Sequence, residues 1–224
     1  MRLSIVVPTL EEAASITATL AALQHLRAAG HEVLVVDGGS RDATPLIARL
    51  LCDRMLAAPA GRASQMNAGA REANGDVLVF LHADTLLPVT AAEDIAGALA
   101  QGARWGRFDV TIRGKPWVLK LVGFMMNLRS RVTGIATGDQ AIFMRREAFD
   151  DAGGFPMIPL MEDVAVSKRL KAVAGPPACL RARVTTSGRR WETHGPWRTI
   201  FTMWRLRLAY AMGADPATLA RQYR

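Results

Sequence analysis

Along the first hundred residues, short apolar runs alternate with longer stretches in which apolar positions recur at helical spacing. LSIVVP (3–8) predicts a strand, 11–30 a helix closed by Gly30, EVLVVD (32–37) a second strand and 41–52 a second helix. AAPAG (57–61) reads as a loop, 62–75 as a helix, VLVFL (77–81) as a fully buried strand and 90–101 as a further helix. This βαβα order predicts an α/β fold, a mostly parallel twisted sheet with helices on both faces, whose ligands bind beyond the carboxyl ends of the strands. The second half is less regular. A strand near WGRFDVTI (105–112) leads to an apolar Met-rich stretch, TGDQAIFMRREAF (137–149) and a helical MEDVAVSKRLKAV (161–173). A strand near CLRARVTTS (179–187), GRRWETHG (188–195) and a closing helix over 196–213 follow. No internal repeat or low-complexity linker divides the chain, so the later segments are expected to complete one site within a single domain, 1–224.

Each early strand ends in polar residues that need a partner if they are buried. Pro8, Thr9 and Glu11 follow the first strand, Asp37, Gly38, Gly39 and Ser40 the second, and His82 and Asp84 the third. In an extended backbone, residues two apart face the same way, so His82 and Asp84 are expected to address one ligand or one divalent cation. A hard cation such as Mg²⁺ or Mn²⁺ takes carboxylate oxygen and keeps positions for phosphate, which suits Asp84; the alternative is that Asp84 caps a helix or turn. The glycines behind Asp37 permit a tight turn, and its carboxylate can accept hydrogen bonds from a ribose or a base edge, whereas Ser40 and Asp42 suit helix capping. Neither GxGxxG nor GxxxxGK[ST] occurs, so a Rossmann dinucleotide site and a P-loop are unsupported.

Charge changes the picture next. Lys and Arg number 28 against 20 Asp and Glu, a net +8, with arginine crowded toward the end of the chain. Such a field favours anionic partners without choosing among nucleotide phosphates, lipid headgroups and nucleic acid. Basic residues are not interleaved with aromatics in an evident RNA-binding motif, and the strand-end carboxylates would repel phosphate unless a cation intervened, so nucleic acid is not expected. Cys52 and Cys179 lie far apart with no CxxC, which excludes a disulfide framework and a zinc site and makes a reducing cytoplasm the simplest location. The first apolar run is too short for a signal peptide, and no stretch reaches the roughly 20 apolar residues of a membrane span. In the closing helix Trp197, Phe201, Trp204 and Leu208 form one apolar stripe, with Arg198, Arg205 and Arg207 off it. Packing onto the domain is the first expectation for this stripe, and contact with a membrane surface, at its inner face, the alternative. Met125, Met126 and Met144 are expected to fill the core.

Taken in order, IVVPTLEEAASI, VLVVDGGSRDAT and VLVFLHADT resemble the successive nucleotide-binding signatures of the GT-A glycosyltransferases of family 2. GRASQMNAGA resembles that family's G-[KR]-x-x-x-x-N-x-G helix start, GDQAIFMRREAF its acceptor-side segment and MEDVAVSKRL its Glu-Asp catalytic motif. The likeness covers nearly the whole chain and is nearest to the small bacterial radical-SAM/selenodomain-associated transferases, in which FLHADT and a terminal RRW segment recur. His82 stands where the first Asp of the family's D-x-D usually sits, and Leu10 precedes Glu11 where many relatives have Tyr-Asn. The resemblance implies a GT-A fold, with 1–102 as a nucleotide-binding half, 103–195 as an acceptor and catalytic half and 196–224 as a helical segment. It implies that Pro8, Thr9, Glu11, Asp37, Gly39, Arg62, Asn67, His82, Ala83 and Asp84 line a nucleotide. Gly138, Asp139 and Gln140, with Arg189, Arg190 and Trp191, would line sugar or acceptor. Asp163 would be the general base, with Glu162 beside it, and Asp84 with His194 would hold a divalent metal, Mn or Mg. The implied reaction is inverting transfer from a nucleotide sugar, a UDP-sugar by preference, to a lipid or small-molecule acceptor.

Read without the resemblance, several of these residues have a second meaning. Glu162 and Asp163 can complement a helix dipole, Asp139 can merely turn the chain, His194 can be a solvated loop residue, and RRW can be a basic surface loop with Trp191 packed inward. A metal-dependent nucleotidyltransferase would share the sheet and the cation but bring a Gly-rich basic loop after the first strand, where PTLEEA is acidic. A catalytically inactive nucleotide-sugar binder would share every feature and is separated from an enzyme only by turnover.

Overall fold

The computed structural model describes residues 1–223, apart from the side chain of His194. In chain order the elements are β1 (Leu3–Thr9), α1 (Ala13–Ala22), α2 (Gln24–Ala28), β2 (Glu32–Asp37), α3 (Thr44–Leu51), β3 (Arg54–Ala57), α4 (Arg62–Glu72), β4 (Val77–Phe80), β5 (Thr85–Leu86) and α5 (Ala91–Ala100). They continue with β6 (Trp105–Arg113), α6 (Val118–Thr133), a 3₁₀ turn (Gly138–Gln140), β7 (Ile142–Arg145), α7 (Arg146–Asp151), α8 (Glu162–Ala174), β8 (Ala178–Ser187), α9 (Arg189–His194), α10 (Pro196–Ala211) and α11 (Pro216–Tyr223).

One sheet has the order β3-β2-β1-β4-β7-β6-β8-β5. Strands β1 to β4 are parallel and buried on both faces where their sequences are uninterruptedly apolar, as in β1, β2 and β4. The pleat sorts these side chains into two layers. Ile5 and Val7 face Ile16, Leu20, Ile95 and Phe143, while Val6 turns to the opposite layer with Met66, Phe80, Trp105 and Phe149. On that second side Gly69 lets α4 approach closely: a Cβ there would lie 2.4 Å from Val6 Cγ1.

β7 runs antiparallel to β4, with Ile142 opposite Phe80. This reversal brings the turn Gly138–Gln140, just ahead of β7, to the edge where β4 ends. The last residues of β8 reach the same edge because Thr186 pairs with Thr85 of β5.

Some elements differ from the periodicity. The helix expected over 11–30 begins at Ala13 and breaks at Leu23, and β3 is a half-exposed edge strand with too little alternation to announce itself. The chain turns after β4 instead of continuing extended, Thr85 N donating to His82 O at 3.1 Å, so His82 and Asp84 do not share a strand face. The Met-rich stretch is α6. Met144 is buried as core, but Met125 is half-exposed. Its helix is fixed to β6 by charge: Arg107, fully buried, pairs with Asp109, donates through Nε to Ser130 Oγ at 2.9 Å, and Asp109 also accepts from Arg131 Nη2 at 2.7 Å. A buried guanidinium is tolerable only when so partnered. The α10 stripe does not pack inward as expected. Trp197, Phe201, Trp204 and Leu208 are 62–70% exposed, because α10 docks through the opposite face, where Leu206 joins Leu160, Met161, Val164 and Leu219. Among the described residues, no helix is long and apolar enough to cross a membrane.

Candidate active site

The carboxyl ends of β1 and β2 are tied by Asp37. Its Oδ2 accepts from the backbone N–H groups of Gly39 (2.9 Å) and Ser40 (2.8 Å), and its Oδ1 accepts from Ser40 Oγ (2.5 Å) and Thr9 Oγ1 (3.3 Å). Gly39 sits at φ +97°, a left-handed conformation that glycine takes without strain and that shapes this turn. Glu11 closes the neighbouring loop, its N–H donating to Ser40 Oγ at 2.9 Å and its Oε1 accepting from Arg41 N at 2.7 Å. Gln65, almost fully buried on α4, donates through Nε2 to both Thr9 O and Val36 O at 2.7 Å, holding the two strand ends together just below Pro8. The sequence reading missed this residue; a lone amide at a buried position of α4 was the available signal. Asn67 is placed differently. Its amide makes paired bonds to the backbone of Phe155, 2.8 Å to O and 2.9 Å from N, and so holds the loop that leads to α8.

At the end of β4, His82 Nδ1 lies 3.2 Å from Asp139 Oδ1. Gly138 leaves room for the ring: a Cβ there would stand 2.3 Å from His82 Nε2. Burial opposes the charge of Asp139, but the His82 bond and the nearby Arg62 and Arg190 hold its carboxyl below the ordinary range. Gln140 is buried and closes its own turn, Oε1 accepting from Thr137 N at 3.1 Å. Ala83 is likewise buried, its carbonyl taking the Thr19 hydroxyl at 2.7 Å. Asp84 is half-buried, and its carbonyl accepts from Ser187 N at 3.2 Å. Burial raises the Asp84 carboxyl, with Asp139 and Glu12 adding to the rise and His82 and Arg189 opposing it. Its strongest side-chain partner is the Thr85 hydroxyl at 3.4 Å. A half-buried acidic group so short of donors suits a hard cation, which would take this one carboxylate and fill its remaining positions with phosphate oxygens and water. No group of three or more acidic, His or Cys side chains is gathered for a metal among the described residues, and His194 lies outside the described side chains.

Facing this edge, α8 begins with Glu162 and Asp163. Asp163 Oδ2 accepts from Gly138 N at 3.0 Å and Oδ1 from Val164 N at 2.7 Å, so its carboxylate is clamped by two backbone amides. Arg62, at the start of α4, lies 4.0 Å from Glu162 Oε1. Burial raises both acids, Glu162 further through Asp163, and Asp163 further through Asp139; Arg62 offsets part of this in each. Burial works against the charge of Arg62, but Glu162, Asp139, Tyr223 and Asp163 hold its guanidinium above the usual value. Among the described residues, the non-glycine positions with φ between +47° and +68° are Glu11, Ala141 and Met161, all beside this cleft. Strain of that kind collects where surrounding structure over-determines a site.

The RRW segment closes the cleft from the far side. Arg189 Nη2 reaches Glu12 Oε2 at 3.2 Å, next to Asp84. Arg190 lies 3.6 Å over the Tyr223 ring and donates to Tyr223 O at 3.1 Å, a partner from α11 that no sequence signal indicated. Trp191 packs inward against the core layer. Beside Arg190 a cavity of about 380 Å³ opens among Thr193, Arg198, Thr202 and Tyr223.

Residues 4–153 match the model of glycosyl transferase family 2. The chain belongs to this family. Among solved structures it is similar to TarS from S. aureus in complex with UDP-GlcNAc, at 20% identity and TM-score 0.67, covering 84% of this chain and 58% of that one. It is similar also to glucosyl-3-phosphoglycerate synthase from Mycobacterium tuberculosis, in complex with Mn²⁺, UDP and glucosyl-3-phosphoglycerate, at 17% identity and TM-score 0.61, covering 83% and 70%. A third is the mannosyltransferase PcManGT from Pyrobaculum calidifontis with GDP-Man and Mn²⁺, at 22% identity and TM-score 0.64, covering 93% and 61%. These likenesses establish the GT-A fold. The chain thus spans little more than half the length of TarS residues 1–349, and covers 37% of a further TarS chain to which it is similar. No curated protein matches it significantly.

In this family 2 chain the two raised acids of α8, Glu162 and Asp163, carry a stability cost. A carboxyl whose folded pKa is raised binds its proton longer in the folded than in the unfolded state, so stability falls as pH rises from the ordinary carboxylate range through the raised value. Replacing the buried Glu162 by glutamine removes that cost and its repulsion of Asp163. Glu162→Gln is expected to raise the melting temperature at pH 7 by about 2–4 °C, or about 1 kcal/mol, with the gain vanishing at low pH, where wild-type Glu162 is already protonated. Thermal scans of both proteins across pH check this; a gain independent of pH would remove the electrostatic cause.

Proposed function

We propose that the chain is an inverting glycosyltransferase that moves a sugar from a UDP-sugar, held with Mn²⁺ or Mg²⁺, to an acceptor hydroxyl, with Asp163 as general base. The observation that carries this reading is the Asp163 carboxylate, clamped by Gly138 N and Val164 N and raised in pKa by burial, on the same cleft as Asp84 and Arg62. A base whose pKa is raised above the ordinary aspartate range accepts the acceptor's proton as its oxygen attacks the anomeric carbon, while the bond from that carbon to the diphosphate breaks. Asp84 would hold the cation, whose charge would offset that of the departing diphosphate. Arg62, with Arg189 and Arg190, adds fixed positive charge that needs no reorganisation as the leaving group develops. Asp37, Thr9, Pro8, Glu11 and Gly39 shape the nucleoside end, and His82 positions Asp139 toward the sugar. Asn67 supports the site through Phe155.

The acceptor enters between the Gly138–Gln140 turn and Arg190, on the flank from which α10 departs, and the exposed α10 stripe supports a peripheral membrane contact there. The halves 1–102 and 103–195 fit donor and acceptor work within one domain. FLHADT and RRW support the radical-SAM/selenodomain-associated subgroup within the family.

Calorimetric titration of UDP, GDP, CDP and dTDP, each with and without Mn²⁺, tests the reading. UDP is expected to bind tightest and only with metal, and a UDP-sugar then to be hydrolysed or transferred. Absence of binding by every nucleotide under every condition would sink the donor site; binding without turnover of any sugar would leave an inactive binder.

A further inference from the structure

α6 carries a second exposed stripe. Trp117, Leu121, Phe124, Leu128 and Val132 follow at spacings of four, three, four and four, and all are exposed, Trp117 at 74%. On α10, Met212 extends Trp197, Phe201, Trp204 and Leu208 to the same spacing. Each helix is therefore amphipathic with its apolar face outward, the reverse of a helix that packs by that face.

The two helices lie on one flank. Ahead of α6, Lys115 N donates at 2.8 Å to Glu192 Oε1, three residues before the glycine that starts α10. Leu119 of α6 packs close to Gly188, 3.0 Å from the position a Cβ would take there. Beyond the other end of α6, Ile135 packs in the cluster that includes Leu206 and Ala209 of α10. These contacts bring the start of α6 near the segment that leads into α10, and the residues after α6 near the cluster that holds the second half of α10. Each stripe exposes five large apolar side chains in a row, which differs from the scattered single residues normal on a monomer.

Charge selects the occupant. Neither helix contains an Asp or Glu, while α6 exposes Lys120 and α10 exposes Arg198 and Arg205; Arg131 of α6 is paired with Asp109. Tryptophan near the start of each helix prefers the boundary between headgroups and acyl chains. We propose that α6 and α10 form a paired platform that lies in the surface of an anionic lipid bilayer. This rests on the proposed glycosyl transfer for its purpose: α6 leads directly into the Gly138–Gln140 turn and α10 follows Arg189 and Arg190, so the platform sets the acceptor side of the cleft at headgroup height, where a membrane-borne acceptor presents its hydroxyl.

Co-sedimentation with vesicles of phosphatidylcholine alone, and of phosphatidylcholine with phosphatidylglycerol, tests it without nucleotide or sugar. Wild type is expected on the anionic vesicles and much less on the neutral ones. The pair Trp117→Ala with Phe124→Ala, and separately Trp197→Ala with Trp204→Ala, should each weaken binding about tenfold or more, since each removes two large side chains from the lipid boundary. These side chains are exposed, and unchanged circular dichroism and UDP titration would confirm that fold and donor site survive. Binding lost only in the α10 pair would overturn the paired platform. Failure to bind anionic vesicles, or binding indifferent to both pairs, would overturn membrane docking. A dimer in sedimentation velocity that dissociates in either pair, with no vesicle binding, would assign the face to a second copy of the chain. Donor titration unaffected by vesicles keeps any such failure separate from the glycosyl-transfer reading.

Discussion

Asp163→Asn is expected to lower sugar transfer by about 10²–10⁴-fold while leaving UDP affinity within about twofold. Asparagine keeps the shape but offers one acceptor oxygen in place of two, so it retains one of the bonds from Gly138 N and Val164 N and loses the other. What is lost is the ability to take the acceptor's proton. In wild type the rate should fall as pH drops through the Asp163 pKa, which burial places above the ordinary aspartate range, because the base must be ionised to act. In the variant that acid limb should disappear along with most of the rate. Transfer or donor hydrolysis followed against pH in both proteins provides the check. A variant that keeps wild-type rate and the same acid limb would move the base to Asp139 or Glu162, the acids nearest to it in the electrostatics of the cleft.

Asp84→Asn is expected to remove the metal-dependent part of nucleotide affinity, a loss of about 10²-fold in the presence of Mn²⁺ and little change in its absence. Stability should move the other way. Asp84 is raised by burial and by the neighbouring Asp139 and Glu12, so at neutral pH its charge is a cost to the metal-free fold. The amide removes that cost, and the metal-free variant should melt slightly higher than wild type. Added Mn²⁺ with UDP should stabilise wild type by mass action and the variant much less. Melting curves with and without Mn²⁺ and UDP read both effects at once. Equal stabilisation of the two proteins by Mn²⁺ with UDP would remove Asp84 from the metal.

Much of the candidate site was legible because its polar residues sit at strand ends. An apolar run that stops at Asp37 or His82 tells where a buried strand reaches the sheet edge, and the open edge of a parallel sheet is where ligands collect. The pairing of those residues was not legible. Asp139 meets His82 across 57 positions of sequence because β7 runs antiparallel to β4, a strand direction that no local pattern encodes. Gln65 and Tyr223 were missed for the same reason, since each acts on residues far away in the chain, Thr9 and Val36 for one and Arg190 for the other. The α10 stripe shows the converse limit. Its periodicity was plain, but periodicity says only that a helix has two faces, and here the apolar one is turned outward.

Sequence alone therefore determined the local part of this protein: the βαβα half, its buried strands, and the polar and acidic residues placed at the strand ends. Short-range backbone geometry and apolar spacing suffice for that. Tertiary structure decided which acid is clamped by two backbone amides, which histidine is spent on a neighbouring carboxylate, and that two helices leave their apolar faces uncovered. Those outcomes depend on strand direction and on long-range burial, which follow from how the whole chain shares one core.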